Sequence, residues 1–141
     1  MEYISHSLAE TESIAQSLAK HLENGDTLAL YGDMGAGKTA FVRGLIKHLI
    51  PECLRLVHSP TFALVNEYKG ESRTVYHFDF YRLKDDDDLY SIAFFDYFER
   101  GGIIVTEWSE LFDDLLPKDK KTVRIEKLNE SERRIYADFG D

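Results

Sequence analysis

Gly32-Asp33-Met34-Gly35-Ala36-Gly37-Lys38-Thr39 satisfies the phosphate-loop pattern G-x-x-x-x-G-K-[ST]. An accidental match is expected in roughly one chain of this length in two hundred, so the surroundings matter. Ahead of the loop, Thr27-Leu28-Ala29-Leu30-Tyr31 reads as a short buried strand. Behind it, Phe41, Val42, Leu45, Ile46 and Leu49 recur at helical spacing. Strand, glycine loop and helix together predict a nucleoside triphosphate site. Gly32, Gly35 and Gly37 let the backbone curl and turn its N–H groups toward one point, which the positive end of the following helix reinforces. The run Gly35, Ala36, Gly37, Lys38, Thr39 and Ala40 is the expected phosphate-binding segment. Lys38 would reach the β- and γ-phosphates. The Thr39 hydroxyl would complete the site as a Mg²⁺ ligand, since Mg²⁺ is held by one or two protein oxygens plus phosphates and waters.

Working outward, 141 residues suit one domain with a real core, residues 1–141, and are too few for two of ordinary size. Hydrophobic content of 43% beside 30% charged residues is that of a globular protein. No apolar run nears the length of a membrane span, so no membrane association is expected. The first eight residues lack a basic stretch and an apolar signal core, which makes the cytoplasm the expected location. A single cysteine, Cys53, excludes an intramolecular disulfide and a thiolate zinc cluster. The net charge of −9 argues against a chain that embraces DNA or RNA by itself. Any RNA pathway would be served through a protein partner.

Along the chain, Ser5 or Ser7 could cap a helix whose apolar stripe is Leu8, Ile14, Ala15, Leu18, Ala19 and Leu22, ended by Asn24-Gly25. The segment Ser59-Pro60-Thr61-Phe62-Ala63-Leu64-Val65-Asn66-Glu67-Tyr68 becomes strand-like in its later part. Lys69-Gly70-Glu71-Ser72 reads as a hairpin turn into a strand over 73–81. Asp85 to Asp88 fit a helix N-terminus and its dipole, leading into an aromatic helical segment that Gly101-Gly102 terminates. Four adjacent aspartates do not converge on one ion without a defined loop, and a solvated helix start is the favoured reading. Ile103-Ile104-Val105-Thr106-Glu107 is a buried strand ending in an acid. Residues 122–128 and 133–139 form an antiparallel hairpin around Asn129-Glu130-Ser131.

A working site also needs an acid at the end of a neighbouring strand to organise Mg²⁺ and water. Glu107 follows the cleaner apolar run and is favoured for the metal, with Asp79 supporting it or orienting water; the reverse assignment stays open. Thr61 either senses the γ-phosphate as part of a switch or begins a strand after a turn fixed by Pro60. Trp108 could stack near the base, although a lone tryptophan after a core strand is more often simply packed. His77 reads as a strand residue with a satisfied hydrogen bond. No [NT]-K-x-D motif for guanine follows the loop, so ATP is the expected nucleotide. A small-molecule kinase would use the same loop, but it calls for an arginine-bearing lid, and the arginines here are scattered.

Four segments, Gly32 to Thr39, Ser59-Pro60-Thr61-Phe62, His77-Phe78-Asp79-Phe80-Tyr81-Arg82-Leu83 and Glu107-Trp108, occur in the order and spacing of the bacterial TsaE (YjeE-type) ATPases, which the chain resembles from its first helix through Trp108. Those proteins take part in making N6-threonylcarbamoyladenosine in tRNA. The resemblance implies an α/β fold, a P-loop NTPase-type three-layer sandwich with a mixed central sheet and a C-terminal β-hairpin. It implies ATP and Mg²⁺ as cofactors, slow hydrolysis stimulated by the partners TsaD and TsaB, and tRNA held through those partners. By matching motif positions, Lys38 and Thr39 carry phosphate and Mg²⁺ binding. Thr61 and Asp79 fall in two switch-like segments, Glu107 matches the Mg²⁺-linked acid, and Trp108 lies beside the nucleotide. Thr11, in the first helix, matches a further position near the nucleotide. Met34 stands where leucine is often seen, and Thr106 where an aliphatic residue is usual; neither alters a ligand.

Overall fold

The computed structural model describes residues 1–33, 35–60 and 64–140. Seven strands, β1 (Glu2–Ser5), β2 (Thr27–Tyr31), β3 (Val65–Lys69), β4 (Thr74–Asp79), β5 (Ile103–Glu107), β6 (Lys121–Lys127) and β7 (Arg133–Asp138), form one sheet in the order β1-β7-β6-β2-β5-β4-β3. The four central strands β6, β2, β5 and β4 run parallel. The outer strands β7, β1 and β3 are antiparallel to their neighbours, which makes the sheet mixed as expected.

β2 and β5 are buried at every position, because both faces of a parallel sheet are covered. The two-residue period of the strand divides their side chains between two cores. Leu28, Leu30, Ile103 and Val105 face α1 (Leu8–Leu18) and α2 (Lys38–Leu49), where Phe41, Leu45 and Ile46 complete the packing. Ala29, Tyr31 and Ile104 face the opposite side and meet Phe78, Phe80, Leu89, Phe94 and Phe112. Helix, sheet and helical cover are therefore three layers. Ser7 caps α1, its hydroxyl accepting the Glu10 N–H at 3.0 Å, and a short 3-10 turn over Ala19–His21 follows where the stripe ends.

Two segments differ from the sequence expectation. The aromatic stretch after the aspartates is not one helix: α3 (Asp86–Ser91) ends before Ala93, whose φ is 56°, and a 3-10 segment runs over Phe94–Arg100. Three residues per turn stacks Phe94 above Tyr97, and both meet Phe78 edge-on at 4.9 Å. Packing on the sheet overrides helical period. Glu2–Ser5, in which the sequence makes Ser5 a candidate helix cap, form edge strand β1, which pairs with β7 from Glu2↔Tyr136 to Ser5↔Arg133. No helix among the described residues is long and apolar enough to cross a membrane.

The topology brings the carboxyl ends of β2, β4 and β5 side by side. Asp79 is in register with Glu107, and Glu107 with Leu30, two residues before the glycine loop. That end of a parallel sheet is where ligands bind in folds of this kind.

Candidate functional site

The loop between β2 and α2 has backbone angles that explain its glycines. Gly37, at φ 103°, is the N-cap of α2 in the left-handed region. At Gly32, φ 155°, a Cβ would lie 2.7 Å from the Ile125 carbonyl oxygen, so any side chain would strike the backbone of β6. The first turn of α2 leaves N–H groups without intrahelical partners, and they belong to the residues that follow the loop.

Lys38 opens α2 and is 7% exposed. Its Nζ donates to the Gly32 carbonyl at 2.6 Å, lies 4.0 Å from Glu107 Oε1 and sits 3.8 Å from the centre of the Trp108 ring. Burial pulls its pKa below the ordinary lysine value, and the Glu107 carboxylate opposes that shift. The ammonium is thus held between a carbonyl, a carboxylate and a ring face, poised beside the loop.

Glu107 ends β5 and is 3% exposed. Its Oε2 accepts a hydrogen bond from Nε2 of His77, which lies on the same sheet face two residues before Asp79. His77 is fully buried, and its Nδ1 has no partner among the described residues. Asp79 is 2% exposed, and its Oδ1 accepts the Tyr81 N–H at 2.8 Å. Trp108 leaves β5 at φ 58°, with Tyr81 edge-on at 5.1 Å. Thr106 and Ser109, both buried, are joined across this bend by their hydroxyls at 3.1 Å.

These groups surround a cavity of about 680 Å³. The loop side supplies Gly35, Gly37, Lys38, Thr39 and Ala40, and the strand ends supply Asp79, Glu107 and Trp108. Leu8 and Glu12 of α1 and Arg43 of α2 form another wall, with Glu12 and Arg43 paired at 3.7 Å. Thr39, Asp79 and Glu107 present only oxygens, the donors a hard cation such as Mg²⁺ takes. Among the described residues no group of three or more His, Cys, Asp or Glu side chains is placed to hold a metal alone. A cation here would draw its remaining ligands from phosphate and water.

The sequence-predicted residues divide as follows. Gly35, Gly37, Lys38, Thr39, Ala40, Asp79, Glu107 and Trp108 come together around the cavity. Ala36 is buried beneath the loop, and its carbonyl accepts from Arg133. Thr11 is fully buried, its hydroxyl 2.7 Å from that of Ser5, while Leu8 and Glu12 of the same helix line the cavity. Thr61 lies outside the described residues; nearby Ser59 is on the cavity wall. From the sequence, His77 reads as a hydrogen-bonded strand residue without Glu107 named as its partner, and no site role falls to Glu12, Arg43 or Arg133 of the cavity lining. The period of β4 puts His77 and Asp79 on one face, but the pairing of His77 with Glu107 follows only from the β4–β5 register. Arg133 carried no signal, since beside Arg134 it looks like ordinary strand-surface charge.

The model of the family described as threonylcarbamoyl adenosine biosynthesis protein TsaE matches residues 5–135. The relative from Rickettsia felis, a tRNA threonylcarbamoyladenosine biosynthesis protein TsaE, is 41% identical over 88% of this chain and 71% of its own length. Proteins of the same name from Bacillus subtilis and Aquifex aeolicus are 36% and 37% identical, covering 89% and 88% of this chain and 77% and 94% of theirs. The crystal structure of YdiB from Bacillus subtilis superposes with a TM-score of 0.75 at 29% identity, over 99% of this chain and 86% of that one. The fold is that of the P-loop NTPases, as expected. With the family's pattern running through loop, strand ends and hairpin alike, the chain belongs to the TsaE family of threonylcarbamoyl adenosine biosynthesis proteins.

Proposed function

We propose that this protein binds ATP with Mg²⁺ in the cavity and hydrolyses it slowly, in the service of threonylcarbamoyladenosine formation in tRNA. One observation carries the reading: Lys38, Thr39 and the two buried carboxylates of Asp79 and Glu107 face one cavity at the end of the sheet. Lys38 would exchange its contacts with Gly32, Glu107 and Trp108 for the β- and γ-phosphates. Thr39 and Glu107 would hold Mg²⁺, which when bound neutralises charge on the phosphates. Asp79 would orient the water whose oxygen bonds to the γ-phosphorus as the bond to the bridging oxygen breaks, releasing ADP and phosphate. His77 keeps the Glu107 carboxylate aimed by hydrogen-bonding its second oxygen. Trp108 offers a ring face at the rim.

Family membership further supports TsaD and TsaB as the partners that stimulate turnover and hold the tRNA. The test is phosphate release from ATP by the protein alone and then with both partners. The expected result is a low rate that rises with the partners and disappears in Lys38→Ala. Glu107→Ala should keep some nucleotide binding while hydrolysis falls by a factor of about 10² or more. A rate indifferent to TsaD and TsaB would overturn the assignment of partners, and turnover surviving in Lys38→Ala would overturn the assignment of the site.

A further inference from the structure

Arg133, at the start of β7, is 6% exposed and reaches across the sheet to the phosphate loop. Its Nε donates to the Ala36 carbonyl at 2.9 Å and its Nη2 to the Gly35 carbonyl at 3.2 Å. Its Nη1 points the other way and donates to the carbonyls of Asn129 at 2.8 Å and Glu132 at 3.0 Å in the β6–β7 turn, with Glu130 at 3.4 Å. Among the described residues, all its hydrogen-bond acceptors are backbone carbonyls and none is a carboxylate. Its charge is therefore left to act on the cavity it lines beside Lys38. Only a guanidinium has a rigid fork of donors that can clamp two successive carbonyls on one side and a turn on the other.

A peptide unit is planar and trans, so fixing a carbonyl fixes the N–H on the opposite side of the same plane. The Gly35–Ala36 unit is held at both ends, by Arg133 at its oxygen and by the Asp33 carbonyl, which accepts the Ala36 N–H at 3.0 Å. The Ala36–Gly37 unit is held at its oxygen, which turns the Gly37 N–H to the face away from Arg133. We propose that Arg133 is a positioning residue for the phosphate loop: it sets the loop's peptide planes for an anion and makes the β6–β7 hairpin respond to phosphate binding. The proposal rests on the reading of the cavity as a nucleotide site. Asn129 supports the clamp from its far end, since its side-chain oxygen accepts the N–H groups of Ser131 and Glu132 and so shapes the turn.

The experiment titrates the full chain calorimetrically with Mg²⁺-tripolyphosphate and with Mg²⁺-ATP, and records the thermal midpoint of each variant. Arg133→Gln is expected to weaken both ligands by the same factor, tenfold or more, because the loop and not the base site has changed. Arg133→Lys, which restores the charge without the fork, should recover part of that loss. Asn129→Ala, at an exposed position in the β6–β7 turn that makes no contact of its own side chain with the loop among the described hydrogen bonds, should weaken both ligands two- to fivefold. In the parent protein, tripolyphosphate should slow amide exchange over residues 129–133, a response that a merely structural arginine would not produce. A folded Arg133→Gln with parental affinity overturns the proposal, even if its thermal midpoint falls. Should that variant not fold, parental affinity in Asn129→Ala together with unchanged exchange over 129–133 overturns it. A parent that binds neither ligand, or a Lys38→Ala variant that binds both as well as the parent, overturns the nucleotide reading itself, an outcome separate from these.

Discussion

The Lys38 ammonium is 7% exposed, and its burial pulls its pKa down even with the Glu107 carboxylate 4.0 Å away pulling it up. A cation whose folded-state pKa is lowered costs stability wherever it is charged in the fold. That cost is fully present below the lowered value and is relieved as pH rises through it toward the unfolded lysine value of about 10.4. Lys38→Met keeps the stem and removes the charge, while His77 still hydrogen-bonds Glu107. Without nucleotide, this variant should be at least as stable as the parent near pH 7 (about neutral), and the parent should gain on it as the pH climbs. Adding ATP should reverse the order, because only the parent gains from binding. Thermal midpoints over that pH range, with and without Mg²⁺-ATP, check the sign. A variant that melts well below the parent at neutral pH without nucleotide would show that the contacts of the ammonium outweigh its desolvation.

Among the elements, α1 and α2 cross at Gly44, where an added Cβ would lie 2.2 Å from the Glu12 carbonyl oxygen and 2.6 Å from the Ala15 Cβ. Gly44→Ala therefore opposes two effects. Alanine in a helix interior gains up to about 1 kcal/mol over glycine. A backbone clash in a packed contact costs about 1–3 kcal/mol or more, and a main-chain oxygen cannot swing aside as a flexible side chain can. The clash should win, lowering the thermal midpoint by several degrees, on the order of 2–4 °C per kcal/mol for a domain near this size. Relief comes by moving α1, which carries Leu8 and Glu12 of the cavity wall, so nucleotide affinity should fall in the same variant with loop and acids untouched. An unchanged midpoint would show that the helices can part without cost. Elements with a strong local pattern were legible in the sequence: Thr27 to Tyr31, the apolar face of α2 and the β6–β7 hairpin all stand where periodicity put them. The run after Asp85 was not, because Phe94, Phe95, Tyr97 and Phe98 offer apolar groups on every side and Phe78 and Phe80 decide which turn inward. β1 was hidden for the opposite reason: four residues with little pattern become a strand only by pairing with β7 at the far end of the chain.

Across the whole molecule, what could be read of the site followed sequence separation. The loop is local, and Glu107 ends a recognisable strand while Asp79 falls within the strand expected over 73–81, which the structure ends at Asp79, so both acids could be singled out before their register was known. Arg133 meets Ala36 across 97 residues, and no local pattern marks it as anything but surface charge. The same long-range view bears on RNA. With 26 acidic residues against 17 lysines and arginines, the chain carries a net charge of −9, and many of the cations are committed one by one. Arg133 is clamped on carbonyls, Arg43 pairs with Glu12 and Lys121 with Asp26. Arg100 and Arg124 lie over Tyr97 and Tyr31. Tight binding to a nucleic acid backbone draws on clustered lysines and arginines that release counterions, and each phosphate neutralised adds about one to the salt slope. If the division of labour proposed above holds, tRNA should not be retained by this protein alone at about 150 mM salt, where backbone contacts are already strongly screened. It should be retained once TsaD and TsaB are added. Filter binding of labelled tRNA across a salt series reads this directly, and tight retention by the isolated chain at that salt would move the tRNA contact onto this subunit and reverse the assignment.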